Sequence, residues 1–509
     1  MLQESFLGKL YTVWCGSAVF RLLQTLYHVF LRVLHGSVIL RTLFAEGRLE
    51  RAYRGSFACR LLRAPFALAR RVLSGFSVLC TAADESVLLR MARGSILRPF
   101  ISFEGLLGAF LFVMFVTPHA MWNNLYAVGA TVVLFLLYLL LAAAGRREFV
   151  CPDVFGLGGA LFLLALVLSL GFSCVFFDSL RILLFFLTAF ALCYIAAADL
   201  RDPVRMRRLL AFLYLTLLVV SLIGVIQHAF GLVLVSKSYT DVKLNVGVPG
   251  RVVSTLDNPN ILSEFILLFM PLGAAFAAKA KKPLLRVVLA VGLAIPALAL
   301  LYTYSRGGWL AIVLAAAVFT FCCNKRLIPA LFVVGLLALP LMPESVLIRL
   351  STIGNTADSS TMHRIDIWRG VLRILGDYDR FLTGIGLGPV VFRTIYPFYS
   401  LGIAKVGAYH AQQHYLELVL ETGLLGLAAY LYMILKYLGR AGRAIRSGVR
   451  EHRLVLIACV SSLIGLSFVG LLDYLWFYPR IMFAFFVFLG ILLAAASSGT
   501  AAEKGDYDL

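Results

Sequence analysis

Four short segments carry the residues that are hardest to explain by packing alone. They contain Arg251, Arg306, Arg364, and the pair His410 and His414. A guanidinium group stays protonated under nearly all conditions and offers a planar set of donors to phosphate. Histidine can accept a proton near neutral pH. Together these residue types indicate binding of a phosphate-bearing group next to a general base.

Arg306 lies in Tyr304-Ser305-Arg306-Gly307-Gly308, between two apolar stretches. A charge there is costly unless it is paired or reaches water. The glycines let another group approach the backbone closely, and we include Ser305 as a candidate binding residue. The alternative is an arginine that extends to the lipid headgroups.

Two further arginines lie in polar segments between apolar runs. Arg251 precedes Asn258-Pro259-Asn260, whose asparagines are candidate binding residues, although asparagine before proline is also typical of a helix cap. Arg364 comes four residues before Trp368, so both can share a helical face. We take Trp368 as a further candidate; the alternative for Arg364 is a solvated loop arginine.

The histidine segment leads directly into an apolar run. A spacing of i, i+4, i+7 and i+11 predicts one helical stripe, formed by His410, His414, Glu417 and Glu421. Ionisable residues of a spanning helix usually face the interior or a cavity. The candidate binding residues here are Gln413, Tyr415 and Glu421. A metal site is the competing interpretation, because two histidines and Glu417 match three ligands; we predict no metal and no cofactor.

The composition indicates that these residues belong to a membrane protein. Of 509 residues, 61% are hydrophobic and 14% are charged, against about 45–50% and about 25% in soluble globular proteins. This excludes a soluble domain, a disordered chain and a fibrous repeat. The net charge of +20 indicates a lipid bilayer as partner and no nucleic acid, because the basic residues lie between apolar runs. The nine cysteines form no disulfide or zinc pattern, and we expect no cleavable signal peptide.

Apolar runs of about 20 residues predict membrane spans. We expect an all-α, polytopic integral membrane protein with about 12 transmembrane helices. Their predicted bounds are 101–117, 122–144, 155–174, 179–198, 209–229, 258–279, 284–302, 307–323, 326–342, 413–436, 454–473 and 476–496. Helices 1–9 then occupy 101–342, and helices 10–12 occupy 413–497.

The charged connectors predict the orientation. With twelve spans, every basic connector lies on the side of the N-terminal region, which the positive-inside rule assigns to the cytoplasm. Residues 498–509 then form a cytoplasmic tail. The 343–412 loop lies on the outer side and should form one or two helices, because it is rich in aromatic residues and is too long for a plain connector.

Residues 1–100 form a basic amphipathic region on the cytoplasmic side. One helical face carries Arg21, Gln24, His28, Arg32 and His35, and Arg60, Arg63 and Arg70 repeat the pattern. Such helices either lie in the membrane interface or pack on the membrane domain.

Three segments, in this order, resemble the superfamily of O-antigen ligases and O-antigen polymerases. They are 254–260, Tyr304-Ser305-Arg306-Gly307-Gly308-Trp309-Leu310, and 410–426, with the long outer loop before the last. The resemblance covers about residues 100–495. It implies a metal-independent transferase that moves a glycan from a polyprenyl-diphosphate carrier to an acceptor, on the outer side of the bacterial cytoplasmic membrane.

The resemblance also implies roles for single residues. Arg306 matches the arginine of the Ser-Arg-Gly motif, Arg364 resembles the arginine of the large loop, and Arg251 is a weaker match. Many members read His-x-His-Asn-x-Tyr-Leu, where this chain has Gln412 in place of the second histidine. His410 fits the first position of this motif. The resemblance then implies that the catalytic base is His410 or His414, or that the acceptor is activated in another way.

Several functions remain open at this stage. Ligase and polymerase share the carrier-linked oligosaccharide donor and differ in whether the acceptor is a lipid-anchored glycan or another carrier-bound unit. A transporter of a lipid-linked or small anionic solute would use the same arginines without catalysis, but internal inverted repeats would be expected. A scaffold that contacts other envelope polysaccharide assembly proteins would not need the arginines.

Overall fold

The computed structural model describes residues 12–17, 20–21, 24–25, 28–29, 32, 47–76, 101–150, 152–232, 250–338, 340, 342–351, 359–400, 408–447 and 451–497. Every regular element in these ranges is a helix. Eight helical segments are long and apolar enough to cross a membrane. The protein is therefore an all-helical, polytopic membrane protein, as the sequence predicted.

The helices that enter the description below are numbered in chain order. Their bounds are α1 Arg48–Gly55, α2 Phe57–Ser74, α3 Phe103–Val116, α4 Asn124–Ala143, α5 Gly156–Gly171, α6 Phe176–Asp199, α7 Pro203–Phe230, α8 Pro259–Ala278, α9 Pro283–Gly292, α10 Ala294–Tyr302, α11 Arg306–Asn324, α12 Ile328–Ala338, α13 Glu344–Ser351, α14 Ser359–Asp377, α15 Pro389–Ile395, α16 His414–Arg446, α17 Arg453–Val469 and α18 Pro479–Ser497.

Polar side chains determine where several long helices begin. Asp202 and Asn258 accept hydrogen bonds from backbone N–H groups in the first turns of α7 and α8, and each is followed by proline. Ser305 caps α11, and Gln413 caps α16. Such caps satisfy N–H groups that have no partner within the helix. Asn258 is therefore a helix cap, which was one of the two roles that its sequence context allowed.

The eight membrane candidates are α4, α6, α7, α8, α9 with α10, α11 with α12, α16 and α18. Three shorter apolar helices, α3, α5 and α17, pack among them. Residues 306–337 form one apolar stretch, but Ser345 and Arg349 contact Tyr304, just before α11 begins. The chain therefore reverses direction after α11, because 19 helical residues extend about 28 Å. This reversal fits two crossings, and the total of twelve stays a prediction.

Basic connectors meet at one end of the bundle, here called the connector end. Glu104 and Asp199 are buried there, and both pair with Arg147, at 3.2 and 3.0 Å. Glu104 also pairs with Arg208 at 2.5 Å, and Asp199 also pairs with Arg205 at 3.2 Å. Lys279 donates to the Glu451 carbonyl, and Arg453 donates to the Cys322 carbonyl. The predicted topology requires this arrangement of the connectors.

The N-terminal helices α1 and α2 pack on the connector end. Glu50 accepts a hydrogen bond from the Leu157 N–H at 3.1 Å and pairs with Arg440 at 3.5 Å. Phe66 of α2 contacts the rings of Phe135 and Tyr194. Of the two alternatives for this region, packing on the membrane domain therefore holds for residues 47–76. Arg21, Gln24, His28 and Arg32 are helical and exposed, whereas His35, residues 77–100 and the tail 498–509 lie outside the described residues.

The 343–412 segment covers the opposite end, here called the site end. Its described parts contain three helices, α13, α14 and α15, so the expectation of one or two was too low. The chain then inserts Gly384-Ile385-Gly386-Leu387-Gly388 between helices. Ile385 donates to the Leu420 carbonyl at 2.8 Å and accepts from Cys174 at 3.0 Å. These contacts fasten the 343–412 segment to α16 and to the residues just before α6.

Candidate active site

A short turn between α10 and α11 gathers two arginines through its backbone carbonyls. Nε of Arg251 donates to the Thr303 carbonyl at 2.7 Å, and Nε of Arg349 donates to the Tyr304 carbonyl at 3.4 Å. Tyr304 adopts φ of +50°, a left-handed conformation that is unfavourable for a side chain of this size. The turn is therefore held in an unusual shape that directs successive carbonyls towards the arginines.

Four arginines come together at this turn. Arg251 is only 4% exposed. Its pKa falls to about 9, mainly because of burial and also because of the charges of Arg349, Arg364 and Arg306. Arg306 begins α11 directly after the turn, and Arg364 comes from α14 above it. Nε of Arg364 is buried without a hydrogen-bond partner in the part of the chain that the structure describes. Mutual repulsion of this kind is relieved when an anion binds between the cations.

Asn260 connects the arginines to one carboxylate. Its Oδ1 accepts from Arg251 at 2.7 Å, and its Nδ2 donates to Oδ2 of Asp473 at 2.7 Å. Asp473 lies in the connector between α17 and α18, and its charge opposes the lowering of the Arg251 pKa. Among the described residues, Asp473 is the carboxylate whose charge acts on Arg251, while the charges of three other arginines act on it as well, so positive charge predominates at this turn.

His410 lies beside this group. The charges of Asp473 and Arg364 both act on its ring, and burial is the main reason that the His410 pKa falls to about 4. The ring packs against Phe477 and Tyr474, with centroids 4.4 and 5.6 Å away. Nδ1 accepts the backbone N–H of Gln412 at 3.0 Å, so the neutral ring carries its proton on Nε2. At neutral pH the imidazole is uncharged.

His414 lies in different surroundings. Its side chain is fully buried, and neither ring nitrogen has a hydrogen-bond partner among the described residues. Rings of Tyr430 and Trp476 contact it at 5.2 and 4.6 Å. The predicted stripe of four ionisable residues was wrong at its first member, because α16 begins at His414 and His410 precedes the helix. The two histidines therefore occupy separate environments.

The remaining candidates support the loop that carries His410. Nε1 of Trp368 donates to the Ala411 carbonyl at 3.0 Å, and the Glu417 carboxylate accepts the Ala411 N–H. Gln413 caps α16, and the Tyr415 hydroxyl donates to the Ser467 carbonyl at 2.7 Å. These contacts hold both ends of the histidine loop.

Glu421 and Ser305 are also engaged within the protein. Glu421 accepts the Gly388 N–H at 2.7 Å and lies 3.4 Å from the Tyr474 hydroxyl, so it fastens the glycine-rich segment. Ser305 caps α11 and receives a hydrogen bond from the Ser263 hydroxyl at 3.3 Å. Of the predicted binding residues, Arg251, Arg306, Arg364 and Asn260 are the ones that the structure brings together.

Sequence reasoning missed Arg349 and Asp473. Arg349 falls in the short helix α13, which has no recognisable motif, and Asp473 was included in the predicted span 454–473. The helix actually ends at Val469, so the connector exposes Asp473 to the site. A carboxylate at the end of an apolar run, close in the sequence to Tyr474 and Trp476, was the available signal.

The fold and site define a multi-pass membrane protein with a cluster of arginines and a histidine at one end of its helical bundle. Residues 291–431 match the family described as O-antigen ligase. This match agrees with the resemblance to the O-antigen ligase and polymerase superfamily, and it indicates glycan transfer of that type. It includes Arg306, Arg349, Arg364 and His410, and it leaves Arg251 and Asp473 outside. No curated protein matches the chain.

Proposed function

We propose that this protein transfers a glycan from a polyprenyl-diphosphate carrier to an acceptor hydroxyl, on the outer side of the bacterial cytoplasmic membrane. The observation that carries the proposal is the convergence of Arg251, Arg306, Arg349 and Arg364 beside His410. Several fixed cations suit a diphosphate, whose charge increases as the glycosidic bond breaks. Because guanidinium groups supply this charge, the proposed reaction needs no metal.

The orientation follows from the two ends of the bundle. The connector end gathers Arg147, Arg205, Lys279 and Arg453, and the positive-inside rule favours the cytoplasm for that end. The site end is opposite, so a carrier lipid in the outer leaflet would present its diphosphate at the depth of the arginines. The apolar chain of the carrier would remain in the bilayer.

His410 is the proposed base, because His414 is enclosed by aromatic rings. The hydroxyl oxygen of the acceptor attacks the anomeric carbon, and the bond from that carbon to the diphosphate oxygen breaks with its electron pair going to the diphosphate. The hydroxyl proton goes to His410. Since Nδ1 now accepts from Gln412, Nε2 accepts a proton only after the ring changes tautomer. Opening that hydrogen bond costs about 1 kcal/mol.

Binding of undecaprenyl diphosphate to the purified protein in lipid nanodiscs tests the proposal. Arg306→Ala and Arg364→Ala should each weaken binding at least tenfold, because each removes a cation from the phosphate site. Arg373→Ala is the matched control, since Arg373 is exposed on the same helix as Arg364. Equal affinity of all four proteins for undecaprenyl diphosphate would contradict the proposal.

In cells, deletion of the gene followed by size analysis of the surface glycan separates the two transferase types. Loss of long chains while single units remain attached indicates a polymerase. Long chains that accumulate on the carrier indicate a ligase. A surface glycan that is unchanged in amount and length would contradict both.

A further inference from the structure

Helix α2 has an apolar side that the rest of the protein leaves exposed. Its inner side packs on the bundle through Phe66. The exposed apolar side chains follow an i, i+4, i+11 and i+15 spacing, which is one side of a helix, and each is more than half exposed: Phe57, Leu61, Leu68 and Val72. The helix also carries four arginines and no carboxylate, and it is not among the candidate membrane spans. An exposed apolar side next to a basic side is typical of a helix that lies in the membrane interface.

Contacts with α4 determine the direction of α2. Phe66 contacts Phe135 of α4, while Leu73 and Phe76 lie beside residues 136–140. The segment from Phe66 to Phe76 extends about 15 Å in helical geometry, whereas positions 135–140 of α4 extend about 7.5 Å. Helix α2 therefore crosses α4 instead of following it. Because Phe135 lies within the last three turns of α4, the crossing is near the connector end, where the bundle meets the surface of the bilayer.

A groove of about 320 Å³ opens between the two helices. Its lining is entirely apolar and consists of Leu73, Phe76, Leu136, Leu137 and Leu140. Arg70 precedes Leu73 by three residues, so the two side chains are neighbours on α2. Cζ of Arg70 lies 5.3 Å from the centre of the Phe149 ring, in the connector that follows α4, and Arg70 remains exposed. A positioned cation and an apolar groove are thus adjacent at the connector end.

The ligand that fits both features is a phospholipid with an anionic headgroup. Basic residues at a membrane surface attract such headgroups, and each residue contributes about fivefold in affinity. Arg60 and Arg71 are also exposed on α2 and add to its positive charge. A lipid without net charge would gain nothing from this charge, and a soluble phosphate ion would make no use of the groove. An anionic phospholipid uses the cation for its phosphate and the groove for an acyl chain.

We propose that α2 is an interfacial helix that binds an anionic phospholipid of the leaflet at the connector end. Arg70 contacts the phosphate, and one acyl chain occupies the groove between α2 and α4. The lipid thereby adds to the Glu50 contacts that fasten the N-terminal helices to the bundle. The inference goes beyond glycan transfer, because it concerns the opposite end of the bundle and holds whichever reaction the site end performs.

Lipid retention measured by native mass spectrometry tests the headgroup contact. The full-length protein, purified in detergent and stripped of lipid, is titrated with phosphatidylglycerol or with phosphatidylcholine that has the same acyl chains. Wild type should bind one phosphatidylglycerol about fivefold more tightly than phosphatidylcholine, and Arg70→Gln should remove this preference. Arg286→Gln is the matched control, because Arg286 is exposed at the same end of the bundle, where it donates to the Ala280 carbonyl.

A second pair of variants tests the acyl-chain contact in the same measurement. Leu140→Phe fills the groove and should weaken retention of phosphatidylglycerol at least fivefold. Val133→Phe is its control, because Val133 lies two turns earlier on α4, is exposed and does not line the groove. Melting temperatures measured without lipid should be equal, which shows that the variants are folded. Equal retention of both lipids by wild type, or an Arg70→Gln or Leu140→Phe protein that retains phosphatidylglycerol as its control does, would overturn the inference.

Discussion

Glycan transfer should persist at a pH where an ordinary histidine would already be protonated. The pKa of His410 falls from 6.5 to about 4, mainly because the ring is buried and also because of the charge of Arg364, while Asp473 opposes the change. The difference corresponds to roughly 3 kcal/mol that opposes protonation. At pH 5.5, a base with the ordinary pKa would be about one-tenth unprotonated, whereas His410 should be more than nine-tenths unprotonated. The rate should therefore stay level from pH 7 to about 5 and decline below that.

Stability should change in the same pH range, with a definite sign. The unfolded chain binds a proton at His410 more tightly than the folded chain, so protonation favours unfolding. The contribution of His410 is fully present above pH 6.5 and is lost as the pH falls from 6.5 through about 4. Thermal unfolding measured at each pH separates a loss of folded protein from a loss of the base.

The assay is single-turnover transfer from the carrier-linked glycan in proteoliposomes, between pH 4 and 8. Arg364→Gln removes a cation that lowers the His410 pKa. The decline of the transfer rate at low pH, here called the acid limb, should therefore move to higher pH. Asp473→Asn removes the opposing carboxylate and should move it lower. Arg373→Gln, on the same helix as Arg364, should leave the limb in place. A wild-type limb near pH 6.5, or a limb that none of these changes moves, would refute the reasoning.

Three further changes have distinct expected outcomes. Arg306→Lys keeps the charge but loses the planar fork, so transfer should fall at least tenfold at an unchanged membrane level, as measured by surface-glycan gels and immunoblotting. His414→Phe preserves a packed ring that makes no hydrogen bond in the described structure, so activity should stay within about twofold; inactivity of a folded His414→Phe protein would move the base to that position. Gly423→Ala places a methyl group against the Leu382 carbonyl at a φ of +70°, so unfolding should become easier by roughly 2–4 kcal/mol in a detergent melt.

The helical membrane architecture could be predicted from the sequence, because apolar runs of membrane length are a strong and local signal. Helix ends were less predictable. The run that contains Asp473 was assigned to a span, although α17 ends at Val469. Hydropathy does not register the turn at Gly470 to Asp473, since apolar residues continue through it. As a result, the Asp473 carboxylate was assigned to the end of a membrane span instead of to a connector.

The candidate site was predictable where a charged residue lies close to apolar runs, because burying an unpaired charge there costs free energy. Arg306 and Arg251 stood out for this reason, and the structure brings them together. Arg349 did not, because an arginine in an outer helix needs no explanation, and only the reversal of the chain after α11 brings it to Tyr304. The sequence alone did not distinguish His410 from His414 as the candidate base. The start of α16 separates them, and it depends on the Gln413 cap rather than on the spacing of the histidines.

The turn at residues 302–304 has a consequence for sequence variation. Arg251 and Arg349 are anchored by main-chain oxygens of Thr303 and Tyr304, and every amino acid supplies such an oxygen. The identities of the side chains at 303 and 304 therefore do not set these two contacts directly, although both residues are buried and the Tyr304 hydroxyl lies 3.0 Å from the Ser345 hydroxyl. In the proposed function, the orientation of these two cations would thus depend on the backbone shape of the turn more than on the residue types that supply the oxygens.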